Sequence, residues 1–396
     1  MKTLVINTGS SSIKFALFQM PSGKELATGL VEQIGEEMGS IKIQIQETER
    51  TKKLEIANHQ VGLKLVSDWL MNPEFHLIAD ASEVKAIGHR VVHGGEAFQK
   101  TTIIDAAVKA KIKELFGLAP LHNPPNYEGI EVAEQVFKDA QQVAVFDTAF
   151  HHTLPPKAYH YAIPNYLYKD YGIRVYGFHG TSHRYVARVS SEYLKIAPEK
   201  ANLITIHLGN GASMTAIKNG ESIDTSLGMT PLTGLVMGTR VGDIDPGVVF
   251  YLEEEKGYSI EKVKTIFNKE SGMKGLAGDN DLRAVTDSAL NGNETAQLAL
   301  EIYCYRIKKY IGAYIAAIGP IDGIVFTAGV GENSAMVREM VCEGLEHLGI
   351  ELNKKENYIR KKGIREINIP TAKVKILVTP TNEEFEIARQ TYELLK

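Results

Sequence analysis

Arg240 lies in Gly238-Thr239-Arg240-Val241-Gly242-Asp243, and Arg90 lies in Gly88-His89-Arg90-Val91-Val92-His93-Gly94-Gly95. A guanidinium in a glycine-rich loop presents a planar fork that matches a carboxylate or a phosphate. Either arginine alone could instead form a salt bridge that fixes its loop, but two of them shift the reading toward an anionic substrate. Of the twelve histidines, nine fall between His89 and His207, where neutral or cationic imidazoles could donate to phosphoryl oxygens. His179-Gly180-Thr181-Ser182-His183 has the spacing of a metal pair, yet Gly180 weakens a helical geometry and no cysteine is near, which argues against zinc. His59, His76, His160 and His347 read as surface or packing residues. Carboxylates for a cation must come from strand or loop ends. Asp147, directly after the apolar run Val143-Ala144-Val145-Phe146, and Glu383, at the start of the last helical pattern, qualify; helix capping is the alternative for each.

These residues need elements to hold them. Thr3 to Leu17 and Leu203 to Ile217 both read as a strand, a glycine-rich turn and a second strand, with Gly9 and Gly209 at matching places. Turns of this kind let backbone N–H groups approach a phosphate closely. Ser10, Ser12 and Lys14 alternate, which puts them on one polar face while Ile13, Phe15 and Leu17 point into the core. Ile41 to Ile45 and Val84 to Val92 read as further strands, Asp105 opens a helix ending at Gly117, and Asn126 caps the next one. The second half repeats the order, with a strand at Ile223, a long helix from Thr295 to Ile318, and the strand Gly323-Ile324-Val325-Phe326. A turn, Gly329-Val330-Gly331-Glu332-Asn333, then leads to a helix headed by Ser334. Thr381 with Glu384 reads as the capping box of the last helix. We therefore expect an α/β protein of two similarly folded lobes facing each other across a nucleotide cleft. Residues 1–148 plus 384–396 form the N-terminal lobe, and residues 149–383 the C-terminal lobe with the nucleotide-binding segments.

The composition agrees. At 396 residues, 44% of them hydrophobic, the chain can fill two cores. A net charge of −4 argues against nucleic acid or an anionic membrane as the main partner. The two cysteines, Cys304 and Cys342, both fall in helical patterns and support neither a disulfide framework nor a cysteine zinc site. There is no secretory signal pattern and no apolar run of membrane-spanning length, so a cytoplasmic location is expected.

Taken together, the segments resemble the acetate kinases of the acetokinase family. The motifs are Val5 to Phe15, Gly88 to Gly95, Ala119-Pro120-Leu121-His122-Asn123-Pro124-Pro125-Asn126, Phe146-Asp147-Thr148-Ala149-Phe150-His151, Tyr176 to His183, His207-Leu208-Gly209-Asn210-Gly211, Asp224 to Gly247 and Thr327 to Ser334. The resemblance implies the duplicated, ribonuclease H-like fold of actin, hexokinase and Hsp70, with an ATP cleft between the lobes. It also implies a homodimer that transfers the γ-phosphoryl group of ATP to acetate, reversibly and in line, giving acetyl phosphate and ADP. By the resemblance Asn7 and Glu383 hold Mg²⁺, or Mn²⁺ in its place. Ser10, Ser12, Lys14, His207, Leu208, Gly209, Asn210 and Gly211 meet the ATP phosphates. Asp281, Leu282 and Arg283 line one side of the adenosine pocket, and Gly329, Val330, Gly331, Glu332 and Asn333 the other. Arg90 and Arg240 bind acetate and the phosphoryl in transit. His179 stabilises the transition state with His122 nearby, Asp147 orients Arg90 or the metal, and the acetate methyl sits against Val92, Leu121, Phe178 and Pro231. Thr8 stands where the family more often has alanine, adding a hydroxyl beside the first turn. A propionate or other short-chain carboxylate kinase is the near alternative, and a nucleotide-switched binding module of the Hsp70 or actin kind the remote one.

Overall fold

Runs rich in valine, isoleucine and threonine become strands, and the chain has enough of them for two sheets. The computed structural model describes residues 1–396, which divide into two units, Met1–Phe150 with Asn382–Lys396, and His151–Thr381. The first unit holds eight strands: β1 (Lys2–Thr8), β2 (Ser12–Gln19), β3 (Lys24–Glu32), β4 (Gly39–Ile45), β5 (Thr48–Leu54), β6 (Val84–Val91), β7 (Thr102–Ile103) and β8 (Gln141–Phe146), in the order β5-β4-β3-β2-β1-β6-β8-β7. The second holds β9 (Leu203–Leu208), β10 (Ala212–Lys218), β11 (Glu221–Thr225), β12 (Gly323–Thr327), β13 (Arg365–Glu366) and β14 (Lys375–Val378), in the order β11-β10-β9-β12-β14-β13.

The two orders carry one topology. In the first, the antiparallel meander β3-β2-β1 continues through the parallel strands β6 and β8 to the antiparallel edge β7. In the second, β11-β10-β9 continues through parallel β12 and β14 to antiparallel β13. The duplication expected from two similar hairpins therefore extends to whole sheets. The turns match as well: Gly9 N donates to Ser12 O at 2.8 Å, and Gly209 N to Gly211 O at 2.9 Å.

Alternation along β1 decides which helix covers which face. Leu4 and Ile6 join a core with Leu63, Val66 and Leu70 of helix His59–Leu70 and with Val132 and Ala133 of helix Asn123–Val136. Val5, pointing the other way, packs with Ala16, Phe18, Ile387 and Ala388, so helix Glu383–Leu395 covers the opposite face. The face carrying Ser12 and Lys14 is thus polar only near the turn; beyond Lys14 it becomes the apolar seat of that helix. Gly88 makes the seat possible. A Cβ there would lie 2.6 Å from Ile387 Cγ2 and 2.5 Å from Thr391 Oγ1, so only glycine admits the helix this close.

Three local expectations change. The cap of helix Glu383–Leu395 is Asn382, whose side chain accepts from Phe385 N at 2.8 Å; Thr381 bonds Ser182 and Glu384 pairs with Lys14, so no Thr-x-x-Glu box forms. Asn126 caps nothing: its helix begins at Asn123, and Asn126 is a buried brace, donating to Thr8 O at 2.7 Å and accepting from Val92 N at 3.1 Å. Residues Ala328–Asn333 form a short helix in place of a turn, entered through Ala328 at φ +64°. No helix is long and apolar enough to cross a membrane.

Candidate active site

In the first unit the parallel strand ends gather the charged groups. Asp147 follows β8, its N–H bonded to Val91 O at 3.0 Å, and its carboxylate is buried. Arg90, on β6, donates from Nε to Oδ1 and Oδ2 of Asp147 at 3.1 and 3.0 Å and from Nη2 to Oδ2 at 2.5 Å; Nη1 reaches Asn7 Oδ1 at 3.4 Å. Burial alone disfavours the Arg90 charge, but Asp147 and then Glu383 hold it firmly protonated. The arginine is half of a buried ion pair.

Glu383 opens helix Glu383–Leu395 and is partly buried. Desolvation pushes its carboxyl up to about 7, with Asp147 and Glu384 adding to the rise and Arg90 opposing it. Beside it, Lys14 pairs with Glu384 at 2.5 Å, and β1–β2 pairing sets Lys14 opposite Asn7. Asn7 and Glu383 offer hard oxygen donors of the kind Mg²⁺ takes, and a carboxyl crowded by two further carboxylates is a group whose ionisation a cation would favour. The donor set fits the ion. Val92 is buried, whereas Leu121 and His122 are exposed at the start of helix Asn123–Val136. Thr8 buries its hydroxyl against Gly129, where a Cβ would come within 2.2 Å of it. His89 is a core residue, bonded to Gln142 Oε1 at 2.7 Å and held neutral by burial, with its pKa down to about 4.

In the second unit a histidine cluster stands on β9 and β10. His179 caps helix Gly180–Tyr193 at φ +56°, a left-handed conformation costly for a residue with a side chain. Its Nδ1 meets Ser213 Oγ at 2.8 Å, and its ring stacks on His207 at 4.4 Å between centroids. His207 bonds Ser182 Oγ through Nδ1 at 2.8 Å. His183 points inward to Thr205 and Ser213 and does not turn beside His179 as a metal pair would. Arg240 donates to Pro231 O. A Cβ on Gly211 would lie 2.8 Å from Arg240 Nη2 and 3.4 Å from His179 Nε2, so the two heads converge over one bare turn. Burial lowers the pKa of Arg240. Its loop is clamped: Val241 N bonds Phe267 O, Met273 N bonds Met237 O, and Tyr310 and Arg306 reach Asp243 from helix Glu294–Ile318. Phe178 is buried.

The same unit holds a cavity of about 760 Å³ lined by Gly209, Asn210, Leu282, Arg283, Gly329, Val330, Glu332 and Asn333. A drug-sized or nucleotide-sized ligand needs roughly 300 to 1,000 Å³. Asp281 lines a smaller adjoining pocket and caps helix Leu282–Leu290; its carboxylate, forked by Arg283, is held down to about 2. Leu208 is buried in β9, and Gly331 faces inward, its carbonyl taken by Arg338. The far wall escaped the sequence reading. It consists of Arg338, fully buried and bonded to Gly331 O, Glu332 O and Asn357, together with Arg365 and Tyr358. The one signal in the sequence is an arginine on the apolar stripe of Val337 and Val341.

A family model, the acetokinase family, matches residues 2–389. The chain belongs to the acetokinase family. Across its full length it is 52% identical to an acetate kinase of Flavobacterium johnsoniae, covering all of that protein, and 50% identical to one of Carboxydothermus hydrogenoformans, covering 99%. The crystal structure of the Porphyromonas gingivalis acetate kinase superposes with a TM-score of 0.95 at 44% identity over both whole chains. A propionate kinase from Francisella tularensis gives 0.93 at 41% identity over 99% of each chain. The acetokinase family places this chain among the phosphotransferases that use ATP and ADP.

Proposed function

We propose that this enzyme is an acetate kinase, moving the γ-phosphoryl group of ATP directly to acetate and back. The convergence of Arg240 and His179 over Gly211 carries the reading. An acceptor that is already a carboxylate needs no general base, and Arg240 and His179 can serve it as hydrogen-bond donors. Arg90, oriented by Asp147, holds the carboxylate, with Val92, Leu121, Phe178 and Pro231 beside the methyl group and His122 near it. Arg240 receives the phosphoryl in transit and His179 donates to its oxygens. Lys14, Ser10, Ser12, His207 and Asn210 face the phosphates; the cavity walled by Leu282 and Val330 takes the nucleoside. Asn7 and Glu383 would hold Mg²⁺, which when bound neutralises charge on the phosphates. We place the enzyme in the cytoplasm as a homodimer. Helix Gly247–Glu254 supports the latter: none of its residues is buried, and it exposes Phe250 and Tyr251.

Propionate is the second reading, supported by the likeness to the Francisella propionate kinase. Hydroxamate trapping of the acyl phosphate over acetate, propionate and butyrate decides between them. ATP consumption that ignores all three acids would sink both.

A further inference from the structure

Thr205, His183 and Ser213 form one continuous hydrogen-bonded chain that ends on His179. Thr205 Oγ1 lies 2.7 Å from Nδ1 of His183, Nε2 of His183 lies 2.7 Å from Ser213 Oγ, and Ser213 Oγ lies 2.8 Å from Nδ1 of His179. Thr205, His183 and Ser213 are all fully buried, so every proton in the chain must be placed among these atoms. Burial and the neighbouring His151 and His207 hold the pKa of His183 well below its ordinary value, which makes it a neutral ring with a single N–H.

With His183 neutral, three proton orders are possible, and the one in which His183 and His179 both donate to Ser213 leaves the buried Ser213 hydrogen without an acceptor. If His183 carries its proton on Nδ1, it donates to Thr205, Ser213 donates to His183, and His179 donates from Nδ1 to Ser213. The hydroxyl hydrogen of Thr205 then has no acceptor, because His183 is the sole partner of that group. If Thr205 donates to Nδ1, the proton of His183 sits on Nε2 and goes to Ser213, whose own hydrogen goes to Nδ1 of His179. Every hydrogen then has an acceptor, and a buried donor left unmade is the costlier arrangement. We propose that Thr205, His183 and Ser213 are positioning residues that fix His179 as the tautomer protonated on Nε2. His179 can then donate to a phosphoryl oxygen while neutral, beside the Arg240 guanidinium and without a second positive charge there. The order also gives Ser213 a task that a buffer-exposed histidine would not need: occupying the nitrogen on which the proton must not sit.

The proposal rests on the transfer role given to His179 above, and the test separates the two. Nitrogen-15 NMR of histidine-labelled wild-type enzyme, with His179 assigned by its absence in His179→Gln, reports which ring nitrogen bears the proton. The expected spectrum shows a protonated Nε2 and a bare Nδ1 on His179. In Ser213→Ala the Nε2-protonated fraction should fall, and because an imidazole in the wrong tautomer is a poor partner in catalysis, kcat should drop by roughly tenfold or more; Ser213→Thr should restore both. A wild-type His179 protonated on Nδ1, or a tautomer unmoved in Ser213→Ala, overturns the relay, and the wild-type spectrum needs no variant to fold. A tautomer that shifts with kcat unchanged upholds the relay and removes His179 from the transfer step.

Discussion

Arg90 spans both carboxylate oxygens of Asp147, with Nη2 2.5 Å from Oδ2, so the proposed substrate clamp is also the counter-ion of a fully buried acid. Arg240 has no such partner; it leans on the carbonyl of Pro231.

The two arginines should therefore fail differently. Arg90→Ala leaves Asp147 buried without its cation, and breaking a buried pair costs roughly 3 to 5 kcal/mol. Arg240→Ala should cost little stability. Both should lose about 100-fold or more in turnover. Urea unfolding alongside the hydroxamate assay checks this, and equal stabilities would mean that the Arg90–Asp147 pair contributes nothing in solution.

Glu383 gives a pH dependence. Its carboxyl, up to about 7 in the folded chain against 4.5 ordinarily, is protonated where an unfolded one is not. It contributes stability at low pH that is lost as pH rises from the ordinary value through about 7. Magnesium bound as proposed would have to displace that proton, so affinity should increase as pH rises toward 7, with proton release on binding. Calorimetry in buffers of differing ionisation enthalpy measures the release, and Glu383→Gln should abolish it. Release that persists in the variant would assign the proton elsewhere.

The helix cap separates three neighbours. Asn382→Ala should cost about 1 kcal/mol. Glu384→Ala loses a half-exposed pair with Lys14 and should cost no more than about 1 kcal/mol, leaving the magnesium requirement unchanged. Only Glu383→Ala should raise that requirement. A comparable rise in Glu384→Ala would show that the metal carboxylate has been misassigned.

In the proposed site acyl selectivity would turn on Val92, which is buried and anchored through its N–H to Asn126. One methylene in an apolar pocket is worth roughly 1 to 3 kcal/mol, so acetate should lead, with propionate still a detectable substrate. Val92→Ala should raise the propionate-to-acetate ratio of kcat/KM and leave the KM for ATP alone. An unchanged ratio would take Val92 out of the pocket.

What the sequence disclosed follows from the range of the forces involved. β1, β9 and the strand before Asp147 were legible because their apolar runs are continuous and short. The two hairpins announced the duplication because a glycine turn is a local event. Asn382 was passed over because Thr381 and Glu384 satisfy a local pattern equally well; what defeats it is distant, Ser182 taking the Thr381 hydroxyl and Lys14 taking Glu384. Asn126 looked like a cap and is a brace between Thr8 and Val92, a role fixed by the sheet it meets. Arg338 and Asn357 find one another across 19 residues, and nothing in either neighbourhood specifies the partner.

Gly88 opens the seat for helix Glu383–Leu395, and that seat has a temporal meaning. The sheet of the first unit leaves the ribosome with Val5, Ala16 and Phe18 uncovered, and they stay so until all of His151–Thr381 has been made. Until then the emerging chain carries an open apolar face of the kind that chaperones hold. It also lacks Glu383, so no partly synthesised chain can assemble the proposed cation site before its first unit is closed.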